Sequence, residues 1–241
     1  MNRGTITIAR REVSSYFNST VAYIFIVAFL VVCATLFFFF DNFFAVGQAT
    51  MRGYFSMMPL VISVLAPALT MRLWAEERRQ GTYELLLTMP FKDWELVVGK
   101  YLATMTVIAI ALALSIPLPL LVSSFGRFDS GIIVAEYCGA ILLSSAVVAI
   151  GQAVSGASRN QISAFMATVL ILLGLTLLPQ LTVLLSLPAS LSGFIQWLSL
   201  SYHFSSFARG VIDTRDTAYF ALLTIASLYA TTRFLSAFRW R

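Results

Sequence analysis

Long uncharged runs, repeated at membrane-crossing length, limit most strongly what this chain can fold into. Val21 to Phe40 is 20 residues without a charged side chain, Gly53 to Met71 is 19, and Tyr101 to Gly126 is 26. A helix needs about 20 apolar residues to cross roughly 30 Å of hydrocarbon. Gln161 to Leu178 is a further uncharged run, and Ile132 to Ser158 and Ala218 to Phe238 are apolar segments with one charge each, Glu136 and Arg233. Charged residues make up 11% of the chain and hydrophobic ones 59%, whereas a soluble domain carries roughly 25% charged. Such a chain cannot cover a globular surface with polar groups. Backbone in hydrocarbon must satisfy its own hydrogen bonds, so the expected fold class is an all-α polytopic membrane protein with six transmembrane helices, one domain over 1–241.

Punctuation between the runs sets the finer expectations. Asn160 to Tyr202 is 43 residues without a charge, too long for one crossing. Pro179, Ser186, Pro188, Ser190, Ser192 and Gly193 break it. The expectation is a fifth span ending near Leu178, then two short helical segments around Leu181 to Ser201. They would form a re-entrant helical hairpin (181–203) between spans five and six, a conformation tolerated at membrane depth only where protein covers it. At the N-terminus (1–19), Ile6, Ala9, Val13, Tyr16 and Phe17 share one helical arc, while Arg3, Arg10, Arg11, Ser14 and Ser15 lie elsewhere. That pattern predicts an amphipathic interfacial helix, apolar side in the lipid and arginines among the headgroups. Ile8 breaks it. Glu136 is expected in the first turn of the fourth helix, where a carboxylate suits the positive end.

With the N-terminus cytoplasmic, twelve Lys and Arg residues fall inside and four (Arg52, Arg127, Arg209, Arg215) outside. The positive-inside bias then puts both termini in the cytoplasm. A polar island follows the second run: eight of the chain's 27 charged residues lie between Glu76 and Glu95. This topology makes it cytoplasmic. Gly81 can end the helix continuing from the second span, Thr82 to Met89 reads as a short helix with apolar Leu85, Leu86 and Leu87, Pro90 stops it, and Asp93 can cap the next helix. A short greasy helix framed by charges between two spans would act as a lever.

Catalytic signals are missing. Val98-Gly99-Lys100-Tyr101 lacks the upstream glycine and the hydroxyl of a phosphate loop, and the sequence has no His-Glu-x-x-His, no Cys-x-x-Cys and one histidine. The expected reading is no enzyme, no metal and no cofactor in this chain, with energy supplied by another polypeptide. The +5 charge does not imply a nucleic-acid partner, because it is dispersed at span ends. Cys33 and Cys138 read as small core hydrophobes, and Phe37 to Phe40 as an apolar helix end near the headgroups.

Two segments carry a resemblance. Glu77-Arg78-Arg79-Gln80-Gly81-Thr82-Tyr83-Glu84-Leu85-Leu86-Leu87-Thr88-Met89-Pro90, followed by Val98-Gly99-Lys100, resembles the cytoplasmic signature of ABC-2 type transporter permeases. Tyr202-His203-Phe204-x-x-Phe207-x-Arg209-Gly210-Val211-Ile212-Asp213-Thr214-Arg215-Asp216 is similar to a segment before the last span in the gliding-motility-associated permease subgroup. The resemblance implies a coupling helix between spans two and three that docks an ABC ATPase. Glu76, Glu77, Arg78, Arg79, Gly81, Thr82, Glu84, Leu85, Leu86, Thr88, Met89 and Pro90 would form the coupling segment (76–95). It implies two ATPase copies that bind the ATP and magnesium, a second permease chain alike or related, membrane lipid around the assembly, and the bacterial inner membrane as location. Export is implied more than import. The alternative is a mechanotransmission subunit that drives an extracytoplasmic accessory protein without moving a substrate. His203, Arg209, Asp213, Arg215 and Asp216 form an extracytoplasmic segment that reads either as a recognition surface or as an internal salt-bridge and turn network.

Overall fold

A computed structural model describes residues 3–40, 51–81, 91–123, 130–186 and 188–239. The described residues form helices and turns, with no strand among them. In chain order the helices are α1 (Arg3–Asn18), α2 (Thr20–Thr35, extended by a π-helical turn Leu36–Phe40), α3 (Arg52–Ser56), α4 (Met58–Thr70), α5 (Arg72–Gln80), α6 (Asp93–Ser115), α7 (Pro117–Ser123), α8 (Ser130–Ala157), α9 (Gln161–Leu184), α10 (Ala189–Trp197), α11 (Leu200–Phe207) and α12 (Thr214–Arg239). Six rods are long and apolar enough to cross a membrane: Thr20–Phe39, Met58–Gln80, Asp93–Ser123, Gly131–Ala157, Gln161–Leu184 and Thr214–Ala237. They match the six expected runs. The second and third are longer than expected because α5 and the start of α6 add charged turns to their apolar spans.

α8 is the central rod, packed along α12 and against α4, α6 and α9. Its inner face is mostly small: Ala140, Ser144, Ala146, Ala149 and Gly151 are buried, which lets helices approach closely without hydrophobic force between them. Where α8 crosses the second span, a Cβ on Gly151 would lie 2.3 Å from Thr70 Oγ1. Side-chain hydroxyls link helices within the bundle. Ser63 of α4 and Thr176 of α9 are 2.8 Å apart, and Tyr101 of α6 meets Ser145 of α8 at 2.7 Å.

Helix ends follow local chemistry. Gly81 closes α5 in the left-handed region (φ 70°), as expected. α6 is capped differently from expectation: Lys92, not Asp93, is the flanking residue, and the Glu95 carboxylate reaches back to accept the Lys92 N–H at 3.1 Å. Asn160 starts α9 by accepting the Ile162 N–H at 2.9 Å. The fifth span runs through Pro179 to Leu184, six residues beyond the Leu178 expected. The two short helices are therefore Ala189–Trp197 and Leu200–Phe207, displaced along the chain from the expected 181–201. Thr182 Oγ1 donates to the Pro179 carbonyl at 2.8 Å and accepts from Gln196 Nε2 at 3.1 Å, which also ties α10 to α9.

Three smaller expectations change. Cys33 is buried, but Cys138 faces outward. Phe37 turns into the core against Tyr54, ring centroids 5.9 Å apart. Glu136 lies beyond the first turn of α8 and is 1% exposed, because the end of α11 closes over it: Ile132 packs on Gly210 and Gly139 on Phe207, one helical turn to either side.

Candidate functional site

Charged residues converge where α1, α5 and α6 meet. α1 packs lengthwise on the first turns of α6, Gly4 beside Glu95 and Ile8 on Gly99. A Cβ at position 99 would come within 2.7 Å of Ile8, so this approach needs glycine. The buried stripe of α1 is Thr5, Ile8 and Tyr16. This corrects the sequence reading: the residue that broke the lipid-facing arc is one that docks on protein, while Ile6 stays exposed. Tyr16 donates to the Leu69 carbonyl at 3.0 Å and lies 3.1 Å from Thr104 Oγ1. Burial pushes the Tyr16 phenol up, so it remains a neutral donor tying α1 to α4 and α6.

Lys100 is the centre of this cluster. Its side chain is 3% exposed, and Nζ donates to Glu77 Oε1 of α5 at 2.7 Å and to Glu12 Oε1 of α1 at 3.1 Å. Nζ also stands 5.1 Å from the centre of the Trp74 ring. One ammonium thus fastens the N-terminal helix, the end of the second span and the start of the third. Sequence reading noted Lys100 only as the end of the Val98-Gly99-Lys100 motif and overlooked Glu12. The signal was there: a lysine seven residues into a helix whose next turns are apolar needs a partner.

The coupling residues of the sequence analysis divide into three groups. Glu76 pairs with Arg72 at 2.9 Å and accepts from Gln80 at 3.2 Å; Glu77 is held by Lys100; Arg78 donates to the Ser158 carbonyl at 3.3 Å, reaching the turn between α8 and α9. These three bind other parts of this chain. Arg79 and Gly81 are exposed. Thr82, Glu84, Leu85, Leu86, Thr88, Met89 and Pro90 lie outside the described residues, so the coupling helix itself does too.

Just before α5 the second span breaks at Met71. The Met71 N–H still donates to the Pro67 carbonyl at 2.9 Å, and one turn further on Ser155 of α8 enters the ladder. Its hydroxyl accepts from the Trp74 and Ala75 N–H groups at 3.2 and 3.3 Å and donates to the Met71 carbonyl at 3.0 Å. Such an inserted side chain is a regular cause of helix bends. Charged α5 is therefore tied to α8 at the point where it continues from the span.

The second predicted cluster separates. His203 and Asp216 come together, Nδ1 to Oδ1 2.7 Å, both buried. His203 Nε2 donates to the Trp197 carbonyl at 2.7 Å, and Tyr219 stacks on the ring at 3.8 Å. His203 lies in α11, not in an open turn. Asp213 Oδ1 accepts the Arg215 N–H at 2.9 Å as α12 begins; Arg209 donates to Ser206 Oγ at 3.3 Å and is exposed, as is Arg215. The geometry is that of an internal lock between α11 and α12 with a turn beside it. Among the described residues no group of three or more His, Cys, Asp or Glu could hold a metal.

A family model described as ABC-2 family transporter protein matches residues 31–237. No curated protein matches the chain.

Proposed function

The chain belongs to the ABC-2 transporter family of membrane proteins, and from that premise we propose that it is the membrane-spanning permease subunit of an ATP-driven exporter, moved by a separate ATPase that docks on the segment 76–95. The observation that carries this reading is the three-way junction at Lys100. A push on the chain between Gly81 and Asp93 reaches α5 and α6 directly, and through Glu77, Lys100 and Glu12 it reaches α1 as well. The Ser155 contact at the start of α5 ties that motion to α8.

In this reading two permease chains, alike or related, pair above two ATPase subunits in a bacterial inner membrane, with both termini cytoplasmic. ATP binding closes the ATPases. The coupling helix around Thr82 to Met89 carries that motion to the second and third spans, and the passage opens between the permeases. Leu85, Leu86 and Met89 fill the ATPase groove while Arg79 and Glu84 contact its rim. The short helices α10 and α11 form the re-entrant outer gate, anchored by His203 and Asp216. Co-purification tests it. Replacing Glu84 and Leu86 together by alanine should abolish ATPase capture by the full-length permease; capture and stimulation at wild-type levels would sink the docking claim.

A further inference from the structure

α1 and α6 leave a groove of about 460 Å³ between them. Ile6, Ala9 and Val13 form one wall and Leu102, Met105 and Ala109 the other. The second wall runs from Leu102 to Ala109, seven helical steps or about 10 Å at 1.5 Å each, from beside Lys100 into the uncharged part of the third span. Thr106, also in that wall, has its hydroxyl bonded to the Leu102 carbonyl at 2.8 Å, so the groove presents no unmet polar group there. Arg10 stands at the edge and lines both this groove and a second, polar depression with Arg11, Ser14 and Ser15. Arg10 and Arg11 are exposed, and neither has a carboxylate partner among the described residues. The one acid of α1, Glu12, is committed to Lys100.

An apolar slot leading into the bilayer, with the unneutralised guanidinium of Arg10 at its edge and that of Arg11 in the adjoining depression, has the layout of an anionic amphiphile. We infer that α1 and α6 together seat one anionic phospholipid, an acyl chain in the groove between Ile6 and Ala109 and the phosphate on Arg10 and Arg11. A guanidinium offers paired donors that match phosphate oxygens. The arc of Ile6, Ala9 and Val13 thereby meets lipid, as its period suggested, but one held between two helices. The inference rests on the helices spanning a bilayer and not on any ATPase contact.

Native mass spectrometry of the purified full-length protein tests it, with phosphatidylglycerol and phosphatidylcholine of identical chains as probes. The expected result is one retained phosphatidylglycerol, bound on the order of tenfold or more tighter than phosphatidylcholine, each basic residue near a membrane surface being worth about fivefold. The Arg10→Ala, Arg11→Ala double variant should lose most of that preference, and Ala109→Trp, which fills the slot, should lose retention of both lipids. The arginine positions are exposed, so loss there cannot come from misfolding while the elution profile stays monodisperse. Equal retention of the two lipids by the wild type overturns the inference. So does an unchanged preference in the double variant, or displacement by inorganic phosphate at matching concentration, which would mark a free-anion site.

Discussion

Lys100→Met is the most informative single change. It keeps the length and apolar stem of the side chain and removes the ammonium that two carboxylates share. At about 3 Å and an effective dielectric near 20, each contact is worth on the order of 5 kcal/mol before desolvation is subtracted. What counts is the state left behind. Glu77 and Glu12 are 18% and 20% exposed, so each would lose its cation while only partly reaching water. Stranding a buried partner costs roughly 3–5 kcal/mol; partial exposure puts this case near the lower figure, about 3 kcal/mol. Thermal unfolding of the detergent-solubilised protein, followed by tryptophan fluorescence, should fall by about 6–12 °C at 2–4 °C per kcal/mol. Trp74, beside the ammonium, reports the same event locally. A variant that also carries Glu12→Gln and Glu77→Gln should recover most of the loss, since it removes the two carboxylate charges left without their cation. A shift below about 2 °C for Lys100→Met, or no recovery in the triple variant, would refute the idea that this junction holds α1, α5 and α6 together.

The remaining predictions are simpler. Ser155→Ala strands two amide donors and one carbonyl at the Met71 break, so it should cost about 1–3 kcal/mol despite removing one oxygen; the same melting assay reads it, and a change near zero would mean water replaces the hydroxyl. His203→Ala should cost roughly 3–5 kcal/mol by leaving the Asp216 carboxyl buried without its partner, seen as loss of monodisperse protein on size exclusion. Arg209→Glu, at an exposed position, should stay within about 0.5 kcal/mol. The reverse order of these two would favour a recognition surface over an internal lock.

Run length and proline placement made the six spans legible, because hydrocarbon thickness constrains length directly. Gly81 was legible for an equally local reason, since few residues accept its backbone conformation. Which side of a helix meets protein and which meets lipid was not. Ile8 and Ile6 have the same side chain, yet one packs on Gly99 and the other lines a groove; only the absence of a Cβ on another helix decides it. Lys100 lies 88 residues from Glu12 in sequence, so charge counting could locate it but not pair it. His203 was legible as part of a polar segment open to two readings, surface or internal network; in the fold, α11 turns that stretch inward and Tyr219 covers the ring. Glu136 followed the helix-end rule on sequence, and the rule failed because the end of α11 covers it.

The serine at the second-span break has a property that follows from its valence. A hydroxyl has one proton to give and two lone pairs to receive with, and at Ser155 all three are in use. The oxygen is saturated, so no water is needed to complete the contact and none can bind that oxygen without evicting a backbone group. The contact is consequently dry, and it fixes the start of α5 to the fourth span as well as to the helix before it. Any swing of α5 must either carry α8 with it or exchange three hydrogen bonds at once. The three bonds therefore act as one latch between the second and fourth spans.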